Sequence, residues 1–124
     1  MNPIIISATD DTPGVRLDAA SDIFEISGRS LPEDVTKFYK PILDWLDEYA
    51  QSPNAHTVFD FKLSYFNTAS SKIILDILMK LEGMHDAGKS ISIKWHFPSD
   101  DEDMEEAGNE YAEIVSVPIE LVEY

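Results

Sequence analysis

No cysteine occurs among the 124 residues. That removes disulfides, thiolate nucleophiles and every cysteine-based zinc site, so the fold must stand on packing alone. Basic side chains are scarce too: 9 lysines and arginines stand against 24 aspartates and glutamates, a formal charge of -15. Such a surplus repels phosphate backbones and anionic headgroups, which argues against nucleic-acid binding and peripheral membrane binding. Its plainest consequence is solubility, and a second is attraction for a basic partner surface. No apolar run approaches membrane-spanning length, and Met1-Asn2-Pro3-Ile4-Ile5-Ile6 lacks the basic segment and long apolar core of a signal peptide. A cytoplasmic location is expected. Glycine and proline are few and scattered, and no internal repeat or low-complexity segment is visible.

What is present is an ordinary globular composition, 44% apolar and 27% charged. The length suits one domain, residues 1–124, with a two-layer core. Ile4 to Ala8, Val15 to Ala19 and Ile23 to Ser27 are short apolar runs separated by turn signals, and they predict strands. Ser30-Leu31-Pro32-Glu33 has capping-box spacing. Behind it Val35, Phe38, Tyr39, Ile42, Leu43, Leu46, Tyr49 and Ala50 recur at helical intervals, with Pro41 expected to kink or break that helix. His56 to Leu63 and Ser90 to His96 alternate as strands covered on one face. Between them a helix is predicted from about Thr68 to His85, closed by Gly88 in a left-handed cap. A third helix is predicted from about Asp101 to Val115, with Met104, Ala107, Tyr111, Ile114 and Val115 facing the core, and a last strand over Pro118 to Val122. The fold class is therefore α/β, with a mixed sheet of five to six strands and three helices packed mainly on one face.

The segment with most chemical content is Leu63-Ser64-Tyr65-Phe66-Asn67-Thr68-Ala69-Ser70-Ser71-Lys72, where a strand ends and hydroxyl-rich residues open a helix. The first helical turn has unpaired N–H donors and a dipole that favours negative charge, so a phosphate would be received well there. Asn, Thr and Ser are equally ordinary helix caps, and both readings can hold at once. On this helix Ile73, Ile74, Ile77, Leu78, Leu81 and Met84 form the core stripe, which puts Thr68, Lys72, Leu75 and Met79 on the opposite side. Two large apolar residues beside a hydroxyl and a lysine suit a protein partner, a neighbouring helix or a homodimer contact. A phosphate on Thr68 would bring nearly two negative charges to that surface, enough to repel an acidic partner or abolish an apolar dock. Asn67, Ser70 and Ser71 would shape the loop and cap, Lys72 would pair with the phosphate, and Leu75 and Met79 would belong to the docking surface.

Several stretches carry a family resemblance: Thr12-Pro13-Gly14-Val15, Gly28 to Glu33, Pro41-Ile42-Leu43-Asp44-Trp45-Leu46, Tyr65-Phe66-Asn67-Thr68-Ala69-Ser70-Ser71-Lys72, and Trp95-His96 with Asp101-Glu102-Asp103-Met104. With these the chain resembles the SiaC family of regulatory phosphoproteins. The resemblance implies partner switching: phosphorylation of Thr68 by a cognate kinase, its reversal by a phosphatase, and binding and activation of a diguanylate cyclase by the unphosphorylated form. The output would be cyclic di-GMP made by that partner, and with it control of biofilm formation or aggregation. The fold implied is also similar, distantly, to anti-sigma factor antagonists of the STAS type. His96-Phe97-Pro98 departs from the family pattern, in which a tyrosine and an acidic residue are expected after the histidine.

An enzyme would need a constellation, and His56, His85 and His96 are dispersed outside any nucleophile, zinc or phosphate-loop motif. No catalytic residue, cofactor or metal is expected. The acidic run from Asp100 to Glu106 opens the third helix, where carboxylates suit the dipole, and it lacks the spacing of a calcium loop. Two other classes stay open: a small-molecule site built from His96, Asp60 and Lys62 on the polar sheet face, and a purely structural homodimer.

Overall fold

The computed structural model describes residues 1–124 and shows six strands and three helices. In chain order these are β1 (Ile4–Ile6), β2 (Gly14–Asp18), β3 (Ile23–Ser30), α1 (Val35–Tyr49), β4 (Thr57–Phe66), α2 (Thr68–Asp86), β5 (Ile91–Phe97), α3 (Glu102–Ile114) and β6 (Ile119–Glu123). The sheet order follows the chain, β1-β2-β3-β4-β5-β6. The first three strands are antiparallel neighbours, and β3 to β6 are parallel. Parallel neighbours require crossovers, and each crossover here carries one helix. Three crossovers of the usual right hand, all stepping the same way along the sheet, put all three helices on the same side.

Burial follows from that. Even in the central strands only alternate residues are sealed: Phe59, Phe61 and Leu63 in β4, and Ile91, Ile93, Trp95 and Phe97 in β5. The facing helices contribute Tyr39, Ile42, Trp45, Leu46 and Tyr49 from α1, and Ile74, Ile77, Leu78, Leu81 and Met84 from α2. The opposite sheet face stays open and carries polar side chains in pairs, with Lys62 3.6 Å from Glu25 and His96 2.8 Å from Asp60.

Four expectations are corrected. Ser30 is not a helix cap: β3 runs on to Ser30, and Asp34 caps α1, its carboxylate accepting the Lys37 N–H at 3.0 Å. Pro41 does not break α1; the carbonyl it leaves without a donor belongs to Lys37 on the exposed side, where water can serve it. Trp45, left out of the predicted stripe, is buried and stacks on Tyr49 with centroids 5.2 Å apart. Ile114, expected in the core, is 60% exposed. Gly88 has the left-handed conformation expected of it, φ 92.

Candidate functional site

The C-terminal ends of parallel strands gather free helix N-termini, and here the β4–α2 connection lies at that edge. Its geometry begins with one extra residue. Gly28 pairs with Leu63, whereas Arg29 pairs with Tyr65, so Ser64 is inserted in β4 as a bulge. Past it the alternation of β4 changes phase: Tyr65 faces out, 47% exposed, where the Arg29 guanidinium lies 5.4 Å from its ring centroid. Phe66 comes beside Ser30 and packs against the core.

The helix mouth follows directly. Asn67 is extended (φ -87, ψ 176) and caps α2 by accepting the Ser70 N–H on its side-chain oxygen at 2.9 Å. Thr68 is the first helical residue and is exposed, and none of the hydrogen bonds at the mouth uses its hydroxyl. Its carbonyl accepts the Ser71 hydroxyl at 2.7 Å. The Thr68 and Ala69 N–H groups are first-turn donors without intrahelical partners. Lys72 is one turn further on, exposed, and enters none of the ion pairs of the chain. A doubly charged group on the Thr68 oxygen would thus meet free donors, the helix dipole and a spare ammonium.

Ser70 behaves differently from its neighbours. It is fully buried, and its hydroxyl donates to the Ser30 carbonyl at 2.9 Å while accepting from the Ser30 hydroxyl at 2.9 Å. The Ser30 oxygen also lies 2.6 Å from the Tyr39 phenol. Burial pushes the Tyr39 phenol above its ordinary value, and the Ser30 contact opposes that only in part.

Leu75 and Met79 do not share one open face. Leu75 is half-buried, in a groove of about 240 Å³ between α2 and α3 that is lined also by Phe66, Lys72, Tyr111 and Ile114. Met79 is 52% exposed and borders α1, beside Leu43 and Lys80. The helical layer therefore offers two apolar places separated by the ridge of α2. Ile114 belongs to the first, and the helical period that assigned it to the core gave no sign of this. Tyr111 closes the floor of that groove by donating its hydroxyl to the Ser71 carbonyl at 2.8 Å.

Of the residues weighed for a small-molecule site, His96 and Asp60 bond to each other and Lys62 turns to Glu25. His56 pairs with Ser90, and His85 sits at the end of α2. No group of three histidines or carboxylates is arranged to hold a metal ion, and no helix is long and apolar enough to cross a membrane.

Comparison with known proteins agrees with this architecture. The family model described as SiaC family regulatory phosphoprotein matches residues 6–124. An uncharacterized protein of Pseudomonas aeruginosa (strain UCBPP-PA14) is 29% identical over 121 residues, which cover 98% of this chain and 96% of that protein. The crystal structure of apo-SiaC from P. aeruginosa superposes with a TM-score of 0.89 at 29% identity, covering 98% of this chain and 99% of the other. A chain in the crystal structure of the diguanylate cyclase SiaD in complex with its activator SiaC, also from P. aeruginosa, gives 0.92 at 28% identity, with the same coverage of both chains.

Proposed function

Because this chain belongs to the SiaC family of regulatory phosphoproteins, we propose that it is a partner-switching regulator, without a catalytic step of its own, that binds and activates a diguanylate cyclase while Thr68 is unphosphorylated. A kinase and a phosphatase set the state of Thr68, and cyclic di-GMP made by the cyclase carries the output to biofilm or aggregation control. Residues 1–124 act as one regulatory domain, in the cytoplasm, where GTP for a cyclase is found. The fold likeness to SiaC bound to its cyclase supports the partner class.

The observation that carries the switch is the exposed, unengaged hydroxyl of Thr68 on the first turn of α2. A kinase can reach it without unfolding anything. Once phosphorylated, it draws Lys72, four residues on along the helix, and sets a doubly negative group next to the groove that holds Leu75. Asn67, Ser70 and Ser71 shape the loop, and Leu75 and Met79 belong to the docking surface. A partner seated on those apolar places loses the Lys72 ammonium and gains a charge it must desolvate, which weakens binding.

The test uses purified chain and the diguanylate cyclase of the same organism, with cyclic di-GMP production and calorimetric affinity as readouts. Wild type and Thr68→Ala bind and activate. Thr68→Glu binds about tenfold or more weakly, a loss of ~1.4 kcal/mol or more, while its melting temperature stays that of wild type. Equal activation by Thr68→Glu and wild type contradicts the proposal.

A further inference from the structure

Behind the exposed threonine lie three hydroxyls sealed from water, those of Ser30, Tyr39 and Ser70, each 0% exposed. A buried hydroxyl costs stability unless it is bonded, and an apolar trio of similar volume would fill this space without that cost. The three are instead satisfied as one directed chain. Ser70 gives its single proton to the Ser30 carbonyl, and Ser30 gives its own to the Ser70 oxygen. The 2.6 Å contact between Tyr39 and Ser30 therefore has the phenol as donor.

The Ser30 carbonyl is the fixed point of this network. It accepts the Ser70 hydroxyl at 2.9 Å and the Asn67 N–H at 3.3 Å, so residues on both sides of Thr68 are tied to one atom of β3. Asn67 and Ser70 are joined again by the cap bond. The result is a closed clamp around the two residues between them, Thr68 and Ala69. Its other end is Tyr39 on α1, anchored in the core.

We infer that Ser30, Ser70 and Tyr39 are positioning residues for phosphotransfer to Thr68: they fix the first turn of α2 so that the acceptor hydroxyl is held outward in one orientation. The inference rests on the reading of Thr68 as the acceptor. Loss of the clamp leaves Thr68 exposed but lets its turn fray, and a kinase then meets the hydroxyl in the transferring geometry a smaller fraction of the time.

Tyr39→Phe removes one oxygen and keeps the ring in the core; Ser70→Ala cuts one of the two ties to the Ser30 carbonyl of β3 and leaves that of the Asn67 N–H. Amide hydrogen exchange on the purified chain and phosphate accumulation on Thr68 in the native host, read by mass spectrometry, test both. The expected result is exchange about fivefold faster or more at the amides of residues 70 and 71, the effect of losing one net hydrogen bond locally, with the central amides of α2 and β4 unchanged. Thr68 phosphate then accumulates severalfold more slowly in both variants. Exchange that rises evenly over the whole chain, or phosphorylation at the wild-type rate, overturns the inference. A wild-type chain that never carries phosphate on Thr68 overturns the acceptor reading itself, and does so before any variant is compared.

Discussion

Tyr111 joins the first turn of α2 to the third helix through a single proton. Its phenol donates to the Ser71 carbonyl, and the phenol is pushed up to about 12 by burial first, then by the neighbouring charge of Glu110 and by Tyr39. The folded state thus favours the neutral phenol over the phenolate. Because the folded value lies above the ordinary 10.0, this contribution to stability is complete below pH 10 and is lost as the pH climbs from there toward 12. Denaturation midpoints measured across that window should fall more steeply for wild type than for Tyr111→Phe; parallel curves would show that the phenol carries no such linkage. Single residues differ in how much of this the sequence discloses. The exposure of Thr68 was legible because the helical period of α2 puts it opposite the core stripe, and in the fold it is exposed. Ser30 was not legible: Ser-x-x-Glu before a helix reads as a capping box, and only the approach of β3 to α2, 40 residues further on, turns that hydroxyl inward.

Among the elements, α3 approaches β5 closely, and a glycine makes that possible. A Cβ on Gly108 would lie 2.5 Å from Cδ1 of Trp95, whose indole N–H donates to the Met104 carbonyl at 2.9 Å. Gly108→Ala must therefore lift α3 from β5 or displace the buried Trp95. The overpacking costs about 2 kcal/mol and outweighs the alanine's helical preference of ~1 kcal/mol. Gly83 in α2 meets nothing within 4 Å, so Gly83→Ala should instead stabilise by up to about 1 kcal/mol. Opposite signs for the two substitutions in chemical denaturation support the close approach, and equal signs contradict it. The strands and helices themselves were readable because burial on one face imposes period two on β4 and β5 and a 3.6 period on α1 and α2. The Ser64 bulge was not readable. It depends on how β3 and β4 register against each other, which no local pattern in β4 records.

At the scale of the whole molecule, charge and topology divide the surface. Parallel crossovers stepping one way leave one sheet face bare, and its polar side chains pair with one another there, Lys62 with Glu25 and His96 with Asp60. The helical side instead has α3 with Glu102, Asp103, Glu105, Glu106, Glu110 and Glu113 and no cation at all. Lys72 faces this acidic helix across the groove that holds Leu75 and Ile114. One phosphate on Thr68 would leave that side without a free cation near the groove, which is how a single group can reset a surface much larger than itself. The sequence disclosed the net charge but not this partition, because which helix faces which strand is a property of the crossovers. The central claim, that the state of Thr68 decides partner occupancy, is open to one direct measurement. The chain is purified from its native host, cyclase-bound and free pools are separated, and the Thr68 peptide of each is quantified by mass spectrometry. Phosphate confined to the free pool is the predicted result, and equal phosphate occupancy in both pools would contradict it.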